Sequence, residues 1–325
     1  MPRLFRYIAR RLILVPPTIL MIIVLNFFIL HLTPGDVVDV LAGLSGAATP
    51  EYMANLRKSF GLDQPLTVQL GRYIWNIAQM NLGYSFWHNM PVSALIWKHL
   101  PATLLLMSIS IAMAIGLGIV LGVTAARFVN RPVDGIISVF ALLSYATPTF
   151  WIGLMMIVLF SVKLGWFPTG GMTNIGANLT GLSHALDVAK HMVLPSLSLS
   201  LFYVAIYTRL MRASMLEVYG YDYVRTAFAK GLNDGRVAFH HVLRNALLPL
   251  VTMGGMQVGY TIGGSVLVET VFGWPGLGRL ASEGILQRDY NLLMGLLLAG
   301  SVLVLVMNIA VDLIYTVLDP RVEIR

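Results

Sequence analysis

Six long stretches of the chain carry no Lys, Arg, Asp or Glu: Leu12–Leu32, Thr103–Ala126, Ile136–Val162, Met192–Thr208, Ala246–Val268 and Leu292–Val311. A single charge at the centre of a bilayer helix costs about 2.5–3.5 kcal/mol, and about 20 residues cross the hydrocarbon core. Each stretch therefore predicts a membrane-spanning helix. The expected fold class is an all-α integral membrane protein with six transmembrane helices. An even number of spans puts both termini on one side.

The polar intervals are of two kinds. Residues 33–101 form the longest. They open on the turn sequence Thr33-Pro34-Gly35-Asp36, and short helices are expected over Glu51–Phe60 and Tyr73–Gln79. The interval Tyr221–Pro249 reads as two short helices on a glycine hinge. Asp222 is expected to cap the first through its carboxylate. Val224, Ala227 and Phe228 recur at helical spacing. Gly231 stands where a left-handed C-terminal cap is wanted, followed by Leu232. Asn233 or Asp234 caps the second helix, which carries Arg236, His240, His241 and Arg244 before Pro249. An amphipathic helix held this way suits a docking surface for a soluble partner. Within the fifth run Gly255, Gly259 and Gly263 recur every four residues, with Gln257 the only amide. Small residues at that spacing serve close helix packing or line a passage. Pro148 interrupts the third run, so hydroxyls or neighbouring helices must resatisfy its backbone.

Composition strengthens the membrane assignment. Of 325 residues, 57% are hydrophobic and 11% charged, against roughly 25% charged in soluble domains. Mean hydropathy is +0.76. The net charge of +7 does not point to nucleic acid, because the cations are dispersed at the ends of apolar runs. Of 22 Lys and Arg residues, 14 fall in intervals on the side of the termini and 8 on the other. Four of those 8 lie in the long first loop, where the positive-inside rule has less force. Both termini are expected in the cytoplasm. The N-terminal Arg3, Arg6, Arg10 and Arg11 precede an apolar run too long for a signal peptide's core, so the first span is expected to stay uncleaved. The chain divides into a cytoplasmic segment 1–11, a first span 12–32, an extracytoplasmic loop 33–101 and a core 102–325, which contains the cytoplasmic loop 209–246.

No catalytic constellation is present: no His-Glu-x-x-His, no Gly-x-Ser-x-Gly and no phosphate-binding lysine loop. Cysteine is absent. His240 and His241 are adjacent and cannot share a helix face, which argues against a metal site. Glu269 and Asp312, the acids nearest the membrane, are expected at span ends, satisfied by water or a partner. A chain without a phosphate loop draws energy for active transport from another subunit. A stand-alone secondary transporter predicts intramembrane charges or a repeated half, and neither is visible.

The segment Asp222–Gly231 resembles the "EAA" loop of bacterial ABC-importer permeases, in the form found in the dipeptide/oligopeptide/nickel group. Ala227 and Gly231 agree with the general consensus; its Glu and first Ala fall on Arg225 and Thr226. Phe60–Leu66, Asn81–Ser85, His191–Pro195, the Arg209 and Arg212 pair, Glu269–Gly278 and the Asp312…Asp319-Pro320-Arg321 ending follow in the family's order. The resemblance implies a permease of the type I importer fold in the bacterial inner membrane, importing peptides, nickel chelates or another small solute. It implies a heterodimer with a second permease, two ATP-binding subunits and an extracytoplasmic substrate-binding protein, all in a lipid setting. ATP and Mg belong to the ATPases, and this chain binds no cofactor. In that family the loop couples to the ATPase, which assigns Asp222, Val224, Arg225, Ala227, Phe228, Lys230, Gly231 and Leu232 to coupling.

Overall fold

A computed structural model describes residues 2–32, 38, 49–59 and 61–318. The side chains of 2–12, 30, 59, 251–252, 255–264 and 311–318 lie outside that description. So do the Thr33–Asp36 turn, the side chain of Asp312 and the Asp319–Arg321 ending. The described residues are helical apart from one two-stranded hairpin and the connecting turns. They form two compact units, Met1–Ala102 with Gly276–Arg325, and Thr103–Pro275.

The first unit begins with α1 (Pro2–His31), α2 (Pro50–Ser59) and α3 (Leu66–Ala78). A hairpin follows, β1 (Tyr84–Ser85) and β2 (Met90–Pro91), antiparallel with Tyr84 opposite Pro91. The early turns of α4 (Val92–Arg127), then α12 (Leu277–Gln287) and α13 (Tyr290–Leu318), complete it. Its core is aliphatic: Val92, Leu95 and Ile96 pack on Leu277, Leu280, Leu292 and Leu296. A Cβ on Gly295 would lie 2.4 Å from Val92 Cγ1, so glycine sets that approach. Asp289 caps α13 by accepting from the Leu292 amide at 3.1 Å. Its other oxygen accepts from Ser85 Oγ at 2.5 Å, and Asn291 donates to Tyr84 O at 3.0 Å. The hairpin is thereby fixed to the start of α13. Nothing in the apolar periodicity of the sequence marked it.

In the second unit α7 (Gly181–Tyr219) is the central helix, and most of its apolar middle is buried. The rest of α4 approaches it through Gly118 and Gly122. A Cβ at Gly118 would stand 2.4 Å from Tyr207 Cβ, and one at Gly122 2.5 Å from Met211 Cβ and 2.8 Å from Thr208 O. This Gly-x-x-x-Gly pair lets two backbones nearly touch.

The third apolar run is not one straight helix. α5 (Pro132–Ala146) and α6 (Thr149–Met156), the latter continued by a π turn over Ile157–Lys163, bend by 106° at Thr147–Pro148. The residue before a proline is driven out of the α region, and Thr147 is extended (φ −88°, ψ 131°). The Thr147 hydroxyl bonds Leu143 O at 2.7 Å, and Ser198 Oγ of α7 donates to Thr149 O at 3.1 Å. Hydroxyls thus bond carbonyls on both sides of the break.

Among the described residues three helices are long and apolar enough to cross a membrane: Val92–Arg127, Gly181–Tyr219 and Tyr290–Ala310. The bent pair makes a fourth if counted as one span. Two helices also run beyond their charge-free cores. α4 begins in the interval expected as loop, and α7 extends past both ends of its run.

Candidate coupling site

Three short helices link α7 to α11 (Leu248–Val271): α8 (Asp222–Ala229), α9 (Asp234–Arg236) and α10 (Leu243–Ala246), the last two joined by a π turn over Val237–Val242. Tyr221 is extended (φ −76°, ψ 146°) and holds the N-cap position of α8 without a side-chain cap bond. The expected Asp222 cap is therefore wrong. A cap needs its carboxylate on the extended residue, and Asp222 is already helical. Its side chain is 99% exposed and lies 3.7 Å from Arg225. There its charge complements the helix dipole instead.

The C-terminal end of α8 is as expected. Gly231 has φ 79°. Its N–H bonds Phe228 O at 2.9 Å and the Leu232 N–H bonds Ala227 O at 3.3 Å. Those two bonds form a Schellman motif. Between the two candidate caps of the second helix, Asn233 is the cap: its Oδ1 accepts from the Arg236 amide at 2.9 Å. Asp234 instead pairs with Arg127 at 3.2 Å.

The apolar stripe of α8 splits between two directions. Val224 and Ala227 are buried, whereas Phe228 is 43% exposed. Lys230 is exposed, Arg225 is largely open, and Leu232 is half-buried. The helix is thus anchored by two small apolar residues and presents an aromatic ring with cations. Tyr223 ties it to the following segment: Asn245 Nδ2 donates to the Tyr223 hydroxyl at 2.7 Å, and that hydroxyl to His241 O at 3.5 Å.

Beside α8 a cleft of ≈ 390 Å³ is lined by Ser214, Glu217, Tyr221, Tyr223, Asn245 and Pro249 among others. Glu217 accepts from the Tyr221 hydroxyl at 3.2 Å, which holds that phenol above its usual range. Further along α7, Arg212 makes a two-point contact with the buried Asp134 of α5, Nε–Oδ1 2.7 Å and Nη2–Oδ2 2.8 Å. Asp134 also accepts from the Asn130 amide at 3.1 Å. Arg209 lies over the Tyr145 ring at 5.0 Å.

Of the eight expected coupling residues, Asp222, Val224, Arg225, Ala227 and Phe228 stand on α8, and Lys230, Gly231 and Leu232 form the turn that closes it. Gly255, Gln257, Gly259 and Gly263 all stand on α11, but their side-chain surroundings fall outside the described residues. Glu269 stands in the last turn of α11, at a span end as expected, but it is fully buried there and accepts from Thr103 Oγ1 at 2.8 Å. The chain turns there, the Trp274 amide bonding Glu269 O at 2.8 Å. Asp134, Glu217 and the Gly118–Gly122 pair escaped the sequence reading, as did the pairing of Asp234 with Arg127. Only the glycine spacing offered a signal.

A family model described as the binding-protein-dependent transport system inner membrane component matches residues 118–324, and its N-terminal companion matches residues 4–107. This chain belongs to that family. It is an inner-membrane permease component. Among similar proteins, the oligopeptide transport system permease protein AppB of Bacillus subtilis is 39% identical over 320 residues, covering 98% of this chain and 99% of that one. A putative peptide permease protein of Brucella suis is 40% identical over 322 residues, 99% of this chain and 100% of its own. The dipeptide transport system permease protein DppB of Alkalihalophilus pseudofirmus is 36% identical over 332 residues, covering 98% and 99%. A solved inward-facing structure of the MetNI methionine ABC transporter matches with a TM-score of 0.55 and 18% identity, over 70% of this chain and 97% of that chain. The shared fold is that of a type I ABC importer permease.

Proposed function

We propose that the chain is one transmembrane subunit of an ATP-driven peptide importer. The peptide, oligopeptide and dipeptide names of its relatives support that substrate class. The family's dependence on a binding protein supports delivery of substrate from outside and ATP hydrolysis by separate subunits. A second, homologous permease completes the passage as a heterodimer, and ATP and Mg reside in two ATPases. Six spans put both termini and residues 209–246 in the cytoplasm and residues 33–101 outside, a layout supported by the 14-to-8 division of Lys and Arg.

The observation that carries the proposal is the divided surface of α8. Val224 and Ala227 face the permease, while Phe228 stays exposed between Arg225 and Lys230. ATP closure moves the ATPases together, and α8 travels with them as a lever. The Schellman closure and the Tyr223–Asn245 tie make the lever stiff. α7 and α11 leave from either side of the segment, so its displacement tilts both. The passage alternates between two states whose balance the ATPases bias.

Phe228→Asp tests this directly. The variant should insert normally and lose co-purification of the ATPases from detergent. Retention of the ATPases at the level of the unaltered chain would remove α8 as the docking element.

A further inference from the structure

α3 has two apolar sides. Tyr73 packs against Phe27 of α1 with ring centroids 5.9 Å apart, and His31 Nε2 lies 3.2 Å from Gln69 Oε1. On the opposite side Val68, Gly71, Trp75 and Ala78 are exposed, with Trp75 at 66%. At about 100° per residue these four fall within one sector of the helix. Arg72, Asn76 and Gln79 form a separate polar stripe, and α3 carries no acid. Just beyond it Met80, at φ 59°, is 80% exposed.

The contacts with α1 fix the depth of this side. Phe27 lies in the apolar stretch Ile13–Ile29, about 6 Å below His31 at the end of the helix. Gln69 meets His31 and Tyr73 meets Phe27, so this part of α3 runs beside the last turns of α1. In a bilayer that height is the boundary of headgroups and acyl chains, where an indole ring is best placed. A helix with an apolar tryptophan face and only a cation among its charges fits phospholipid there.

We propose that α3 is a membrane anchor that seats Val68, Gly71, Trp75 and Ala78 among lipids of the outer leaflet. Trp75 supplies the main contact, and Arg72 reaches the phosphates. Part of the segment expected as extracytoplasmic loop is thereby bound to the membrane. It holds the base of the outer loop steady while the core moves. The inference rests on the topology proposed above.

The chain contains no cysteine, so an introduced one is the only thiol this subunit offers, and the importer without it gives the background. Trp75→Cys and Asn76→Cys, each in the full importer reconstituted in phosphatidylethanolamine/phosphatidylglycerol vesicles, are labelled with an environment-sensitive fluorophore. The label at 75 should lose emission to lipids carrying a shallow nitroxide and be shielded from aqueous iodide. The label at 76 should show the reverse. Iodide quenching at both positions overturns the anchor. Shielding of 75 from both quenchers also overturns it, since a protein then covers the face. Should Trp75→Cys fail to assemble, Ala78→Cys on the same side carries the test. Labelling of Asn76→Cys by an impermeant reagent only from the cytoplasmic side would overturn the topology as well. Correct outward labelling without lipid quenching would sink the anchor alone.

Discussion

Gly231 adopts a left-handed conformation with open space around its Cβ position. Strain from a side chain would therefore come from the backbone and not from a clash. A non-glycine residue there costs about 1–2 kcal/mol, enough to loosen the Schellman closure without unfolding the protein. Gly231→Leu should insert and assemble, yet lose ATP-driven uptake while ATPase activity persists. Uptake at the unaltered rate would show that the turn does not transmit force. Arg212 is a different case, because it offsets a carboxylate that is already buried. Removing one partner of such a pair leaves a charge without compensation, which costs about 3–5 kcal/mol when both are enclosed. Arg212 is partly open, so Arg212→Ala should fall near the low end of that range. Thermal denaturation in detergent measures it. Arg212→Lys keeps the charge but not the two-point fork, so its loss should be intermediate.

Helix contacts in this protein are decided by where small residues fall. Gly118 and Gly122 let α4 reach α7, whereas a Cβ at Gly116 of the same helix would meet nothing within 4 Å. Gly122→Leu should therefore lower the melting temperature and reduce assembly. Forced overpacking costs about 1–3 kcal/mol. Gly116→Leu should be nearly neutral, and equal losses in both variants would contradict the packing described here. The bend between α5 and α6 follows a similar local logic. Pro148 removes one N–H and drives Thr147 extended, and the Ser198 hydroxyl on α7 meets the backbone beyond the break. A proline shows that a helix must break. The 106° angle depends on what packs against each half.

At the scale of the whole molecule, energy comes from outside the chain, so the docking segment proposed here must hold its partner through repeated cycles. That segment exposes Arg225, Lys230, Arg236, His240 and Arg244 as well as Phe228. Exposed charges are screened beyond about 10 Å at 0.1 M salt. Association with the ATPases should accordingly weaken as salt rises while the Phe228 contact persists. Pull-down across a salt series reads this, and a flat profile would mean that the cations take no part in docking.

Six charge-free runs, dispersed cations and a missing phosphate loop determined by themselves that this is a membrane protein driven by others. Those features depend on composition and one-dimensional spacing, and the cost of charge in hydrocarbon acts on each residue independently. The glycine cap at Gly231 was legible for the same reason: a Schellman turn is a local property of a few consecutive residues. Tertiary structure alone decided that Tyr221 and not Asp222 precedes α8, that Asp134 meets Arg212 across 78 positions, and that Glu269 is enclosed with Thr103. It also decided which glycines touch another backbone. Such pairings depend on how helices far apart in sequence cross, and periodicity along a single helix carries no record of its neighbour.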